Sequence, residues 1–246
     1  MRLYKDNLSE TATITVSSEI PGSGVDKLLT RKIADRFLFD EIGGSITVDL
    51  STSKDITDLF LGGITGSWIV EGHTENVWTT PSYSHSIDSE EETGWLELQE
   101  TYRWWRFTTA DDTGLGLLFI CDSHLQLPGI SLEVDLYYNT TSIGEASLGG
   151  SWEGDEGYDY LSTTFKFPQI TEGIQEINGI AVATRKDILN YWSDVKNITP
   201  FWIKLWEKNL DEYLPFLGTI ETNKLKVGKL KDGKVYKLNL PLREVK

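Results

Sequence analysis

The chain is 246 residues long, enough for one large domain or two ordinary ones, and with 39% hydrophobic and 11% aromatic residues it lies outside the composition of disordered chains. Its 23 Lys and Arg stand against 38 Asp and Glu, and the resulting formal net charge of −15 repels phosphates and anionic lipid, so neither nucleic-acid binding nor membrane binding is expected. Cys121 is the only cysteine, which excludes an intramolecular disulfide, and no uncharged apolar run reaches the length of an export signal or a membrane span.

Short β-branched or aromatic runs separated by turn residues fill residues 10 to 136. They predict strands at 11–16, 44–50, 55–63, 67–73, 95–99, 103–111, 116–122 and 130–138. In 44–50, Ile46, Val48 and Leu50 alternate with Ser45, Thr47 and Asp49, which makes one face buried and the other wet. The connectors 21–24, 79–84 and 88–94 supply the Gly, Pro and Ser of turns. Between 139 and 157 the chain turns to Gly, small and acidic residues, which predicts a linker or long loop and two domains, 1–140 and 141–246.

Beyond this stretch a strand is predicted at 160–167 and a short helix within 170–179. A longer helix is predicted over 185–196, where Ile188, Leu189, Trp192 and Val195 form one stripe and Thr184 with Asp187 forms a capping pair. Strands at 201–207, 216–222, 224–230 and 234–245 close the chain, with a hairpin turn at 231–233. The expected fold is mostly β: an N-terminal jelly-roll β-sandwich and a C-terminal β-sandwich-like module with one packed α-helix.

Residues with the grammar of catalysis are sparse. Cys121 stands three residues from His124, but its apolar run LLFIC points to a buried structural thiol. His73, His85 and His124 lack the paired spacing of zinc ligands. The acidic runs at 90–92 and 111–112 have the composition of solvated loops, and Asp155, Glu156 and Asp159 lack the closing Glu of a calcium loop. No catalytic residue, metal or cofactor is assigned, and an enzyme is not expected. Asn7, Asn139 and Asn197 head N-x-S/T triplets, which without an export signal read as chance matches.

Aromatic residues carry more information. Trp104 and Trp105 are adjacent in a predicted strand and must face opposite sides, so one of them needs a partner surface. Trp192, Trp202 and Trp206 are placed for a core. Trp78, Tyr83 and Trp95 flank or occupy predicted loops, where aromatic rings can stack on sugars or anchor a protein, and they form the candidate ligand-binding set.

The order of signals in residues 10–138 resembles the discoidin-like, galactose-binding jelly roll. The resemblance is carried by the opening GVDKLLTRKIADRFLFDEIGGSITVDL (24–50), the pair DITDLFLGGITGSWIVEGH (55–73) and the aromatic strand YRWWRFTTADD (102–112). With a second β module containing PFWIKLWE and ending in VYKLNLPLREV, the whole is similar to structural proteins of tailed-bacteriophage tails and baseplates. That resemblance implies a virion component made in the host cytoplasm. It would assemble with other tail or baseplate proteins, and with copies of itself, as a homo-oligomeric ring around the tail channel. The alternative is a carbohydrate-binding or host-recognition module whose partner is a cell-surface glycan.

Overall fold

A computed structural model of the chain describes residues 2–89, 93–111, 113–127, 136–140, 143–146, 152–155, 159–171, 175–177, 180–195, 199–207, 212–220, 226–229 and 235–244. The chain is mostly β and divides into two compact units, one of residues 4–124 and one of residues 1–3 with 125–246. The division lies ahead of the Gly-rich 139–157 stretch. Strand Leu136–Thr140 pairs with strand Asp159–Thr171 and so belongs to the second unit. Part of the predicted linker is itself a hairpin, Ile143–Ala146 against Trp152–Asp155.

The unit of residues 4–124 is organised by two long antiparallel strands, Gly44–Gly62 and Thr93–Thr109, paired from Gly44 with Thr109 to Gly62 with Thr93. Each merges two predicted strands. The ladder breaks between the pairs Asp49–Trp104 and Lys54–Tyr102, where residues 50–53 stand against Arg103 alone. Asp49 holds this bulge: its Oδ1 accepts from the Ser51 backbone N–H at 2.8 Å, while Ser51 takes a φ of 65°.

The bulge divides the ribbon into two halves. The first half is flanked by Thr13–Val16 on one side and by Gly66–His73 and then Tyr83–Ser89 on the other. The second half takes Leu117–Cys121 beside the 44–62 strand. Ile46, Val48, Trp105, Phe107, Trp68 and Val70 from the first half share one core with Leu59, Leu61, Leu118 and Ile120 from the second, closing a sandwich.

Leu117–Cys121 is buried at every position, as its unbroken apolar sequence requires. Its backbone side facing away from the 44–62 strand is satisfied by a side chain. Asn7 donates through Nδ2 to the Leu118 carbonyl at 2.9 Å, and its Oδ1 accepts from the Ile120 N–H at 3.0 Å. The same Oδ1 caps the 3-10 turn Leu8–Thr11 by accepting from the Ser9 N–H. The Asn7 amide therefore stands in for a neighbouring strand.

In the second unit, eight strands form a sheet in the order Leu125–Gln126, Arg2–Tyr4, Phe201–Glu207, Glu212–Ile220, Val235–Glu244, Asp159–Thr171 and Leu136–Thr140, with Lys226–Lys229 on Val235–Glu244. Its helix spans Arg185–Val195 and opens with a reciprocal cap. The Asp187 N–H donates to Thr184 Oγ1, and Asp187 Oδ2 accepts from the Thr184 N–H at 2.8 Å. Ile188, Tyr191 and Val195 are its buried residues, and Tyr191 meets Phe201 edge to face at 5.4 Å. Leu189 and Trp192, placed on the buried stripe by the sequence, are only half-buried because the stripe turns through Tyr191. Trp202 is fully buried, and the side chain of Trp206 lies outside the described residues.

The predicted short helix within 170–179 is corrected by the structure. Gln175–Ile177 is a strand that pairs with Ile180–Val182, so Ile177 lies directly opposite Ile180 in a hairpin rather than on a helical face. The predicted turn at 231–233 lies outside the described residues.

Candidate binding surface

Beyond the bulge, strand alternation sorts the residues of 104–109 onto two faces. Trp105 and Phe107 point into the core and are fully buried; Trp104, Arg106 and Thr108 point outward and are half-buried. The cross-strand register brings outward residues of neighbouring strands into rows. Asp49, Trp104 and His73 form one row, and Thr47, Arg106 and Glu71 the next.

Two charge pairs are built into this face. Arg103 donates through Nε to Asp49 Oδ1 at 2.6 Å and through Nη2 to Oδ2 at 2.7 Å, a two-pronged contact. The hydrogen bond from Arg103, the largest cause, holds the Asp49 carboxyl below its ordinary value. One row on, Arg106 donates through Nε to Glu71 Oε2 at 2.6 Å, and Glu71 is buried at 8% exposure.

Each guanidinium also lies on an indole. Arg103 is 5.1 Å from the centre of the Trp104 ring, and Arg106 is 4.7 Å from that of Trp78. Trp78 belongs to the connection after strand Gly66–His73, and its Nε1 donates to Asn76 Oδ1 at 2.7 Å. In the same connection the Glu75 N–H donates to His73 Nδ1 at 2.9 Å, which fixes the turn leaving the sheet. Ile69, opposite Thr108 and exposed at 43%, extends the apolar part of the face.

The three aromatic residues singled out from the sequence occupy different places. Trp78 lies on the outer face over Arg106. Tyr83 is not in a loop. It opens strand Tyr83–Ser89 opposite Gly72 and packs inward, 5.9 Å from the buried Trp105 ring. Burial, then the charge of Glu100, pushes its phenol above the ordinary value. Trp95 is half-buried in the second half of the ribbon, opposite Phe60.

Tyr102 flanks Trp105 at 5.8 Å, and a Cβ on Gly72 would come within 2.5 Å of Tyr102 Cδ2, so glycine is what lets that ring lie across the strand. Sequence reasoning required a partner surface for one of Trp104 and Trp105 without choosing between them. It missed Arg103, Arg106, Asp49 and Glu71, because the carboxylate partners come from strands 54 and 35 residues away.

Other chemistry-bearing groups are engaged structurally. Cys121 is fully buried, and desolvation, reinforced by Asp58, pushes its thiol well up, away from a thiolate nucleophile. Asp111 accepts from the Ser67 N–H at 2.9 Å, while Asp112 and residues 90–92 lie outside the described residues. Among the described residues no group of three His, Cys, Asp or Glu is placed to hold a metal ion.

No protein-family model and no curated protein sequence matches the chain. Solved structures do. A fucose-binding module of Streptococcus pneumoniae is 11% identical with a TM-score of 0.43, the match covering 48% of this chain and 96% of that one. The lectin domain of lectinolysin, complexed with Lewis B antigen, is 12% identical with a TM-score of 0.42 and coverage of 48% and 97%. Chitosan-binding module 1 of a chitosanase/glucanase from Paenibacillus sp. IK-5 is 16% identical with a TM-score of 0.39 and coverage of 47% and 98%.

Proposed function

We propose that the unit of residues 4–124 is a non-catalytic glycan-binding module that takes its ligand on the outer sheet face carrying Trp78 and Trp104. One observation supports this above others: both indoles are half-buried on one face, each beside an arginine locked to a carboxylate. Pyranose rings present an apolar C–H face, which stacks on an aromatic ring, and a rim of hydroxyls, which planar guanidinium and carboxylate groups address with paired hydrogen bonds. A face with both, held rigid before binding, loses little entropy when the ligand arrives. Stacked aromatics beside arginines also suit single-stranded nucleic acid, but there the driving force is free cationic charge. Here both arginines are paired with carboxylates, and the chain carries a formal net charge of −15.

The test is binding of the whole chain to a glycan array, repeated with Trp78→Ala and Trp104→Ala. Retained glycans whose signal falls with either variant support the reading; an empty array, or hits indifferent to both, refutes it.

A second reading, a structural subunit of an assembly such as a phage tail, has its own observation. Ile42 is 79% exposed, and Ile20 and Leu38 are each 38% exposed, in the segments beyond the Gly44–Thr109 end of the sheet. Ile20 and Leu38 are neighbours there, joined by the Ile20 N–H to the Leu38 carbonyl. Exposed apolar side chains of this size suit a subunit contact. Light scattering of the chain and of Ile42→Asp over a range of concentrations tests it, an oligomer abolished by the variant being the supporting result and a monomer at every concentration the opposing one.

A further inference from the structure

Resting on the glycan reading above, we infer that the outer face has two consecutive subsites and selects a neutral oligosaccharide of at least two units over a single sugar or a charged one. The first step is geometric. Trp104 and Arg106 are two residues apart on one strand and point to the same side, which separates their rows by about 7 Å. Trp78 rides on Arg106, not on the Trp104 row, so the two indoles belong to successive rows. A pyranose stacked on one indole leaves the other free for the next unit of the chain.

The polar groups repeat with the same period. The Trp104 row has the Arg103–Asp49 pair beside its ring, and the next row has the Arg106–Glu71 pair beside Trp78. Each subsite thus holds one aromatic plane, one guanidinium and one carboxylate. A ligand with a single ring uses half of this set. One with two linked rings engages both halves for one loss of translational freedom, so affinity rises steeply from one unit to two.

Selectivity for neutral sugars comes from charge. In each subsite the guanidinium is balanced by its own carboxylate, at 2.6 Å in both pairs, which leaves no net charge to draw a sulfate, a carboxylate sugar or an amino sugar. An anionic glycan would meet Asp49 and Glu71 together with the −15 of the whole chain. A cationic one, although drawn by the −15 of the whole chain, would have to displace arginines already seated on those carboxylates.

The experiment uses the full chain on an array of neutral, sialylated, sulfated and amino-sugar glycans. The strongest hit and its own terminal monosaccharide are then titrated by calorimetry. The expected result is a neutral hit that binds at least tenfold more tightly than its monosaccharide, with Trp78→Ala and Trp104→Ala each reducing that advantage to under threefold. Trp104→Phe, which keeps an aromatic plane in the same half-buried site, retains most of the advantage, separating a lost platform from a lost fold. A charged strongest hit overturns the inference, as does equal binding of monosaccharide and oligosaccharide, or a length advantage that survives both alanine variants; in these outcomes the module still binds glycans. An array with no hit overturns the glycan reading itself and the inference with it.

Discussion

Asn7→Ala removes the side chain that closes the edge of strand Leu117–Cys121, and its cost can be worked from the contacts. The Ile120 N–H, which donates to Asn7 Oδ1 at 3.0 Å, is left without that acceptor in a fully buried strand, at about 1 to 3 kcal/mol. The 3-10 turn loses its cap, the bond from the Ser9 N–H, worth about 1 kcal/mol. The Leu118 carbonyl loses the Nδ2 donor but keeps the Ser9 hydroxyl at 2.9 Å, so its loss is smaller. The sum is about 3 kcal/mol, a large share of a typical domain's stability. Urea denaturation of the full chain, with hydrogen exchange of peptides spanning 117–121 as the local readout, measures it. Ser9→Ala is the comparison, expected to cost about 1 kcal/mol because Asn7 still supports both the Leu118 carbonyl and the Ile120 N–H. If Asn7→Ala cost no more than Ser9→Ala and left exchange in 117–121 unchanged, the idea that an amide side chain replaces a neighbouring strand would be wrong.

The same geometry sets three further outcomes. Gly72→Ala puts a Cβ against Tyr102 and shifts that ring off Trp105, expected to cost about 1 to 3 kcal/mol and to change the near-ultraviolet circular dichroism; an unchanged spectrum contradicts this. The Asp49 carboxyl titrates below its ordinary value when folded, so its support is present above about pH 4 and is lost as the pH falls through the folded value. A melting-temperature profile over pH 2 to 6 is therefore expected to flatten in Asp49→Asn relative to the unaltered chain. Cys121 is expected to resist a soluble thiol reagent in native buffer and to react fully in denaturant, and rapid labelling of the folded chain would show that the buried position is wrong.

Period-two alternation was a sound guide wherever one face of a strand meets water. Ile46, Val48 and Leu50 are buried and Thr47 and Asp49 are not, as their pattern requires. The capping pair Thr184–Asp187 likewise fixes the start of the helix from local chemistry alone. The sequence was less informative where the backbone does something nonlocal. The stretch between 50 and 55 reads as a break between strands, yet the chain stays paired around a bulge because Asp49 can bond both Ser51 and Arg103. Tyr83–Ser89 looks like loop, since Ser, His and Asp interrupt its pattern. Its position as the last strand in the order of its sheet asks for few core contacts, Tyr83 against Trp105 and Ile87 opposite Trp68.

The candidate surface shows the same limit from the side of function. That Trp104 and Trp105 diverge is dictated by the pleat, so an aromatic ring on the outer face could be foreseen from two adjacent letters. Its surroundings could not. Asp49 and Arg103 are 54 residues apart, and Glu71 and Arg106 are 35 apart; nothing in their local patterns distinguishes them from solvated surface charges. Only the register, Asp49 opposite Trp104 and Glu71 opposite Arg106, turns four ordinary ions into two neutral pairs beside two rings. Looking for aromatics in loops therefore picked out Trp78, which lies over Arg106, together with Tyr83, whose ring faces the core, and Trp95, which lies across from Phe60. The composition of a loop reports exposure of the backbone, whereas a binding platform depends on which face of a strand the ring is given.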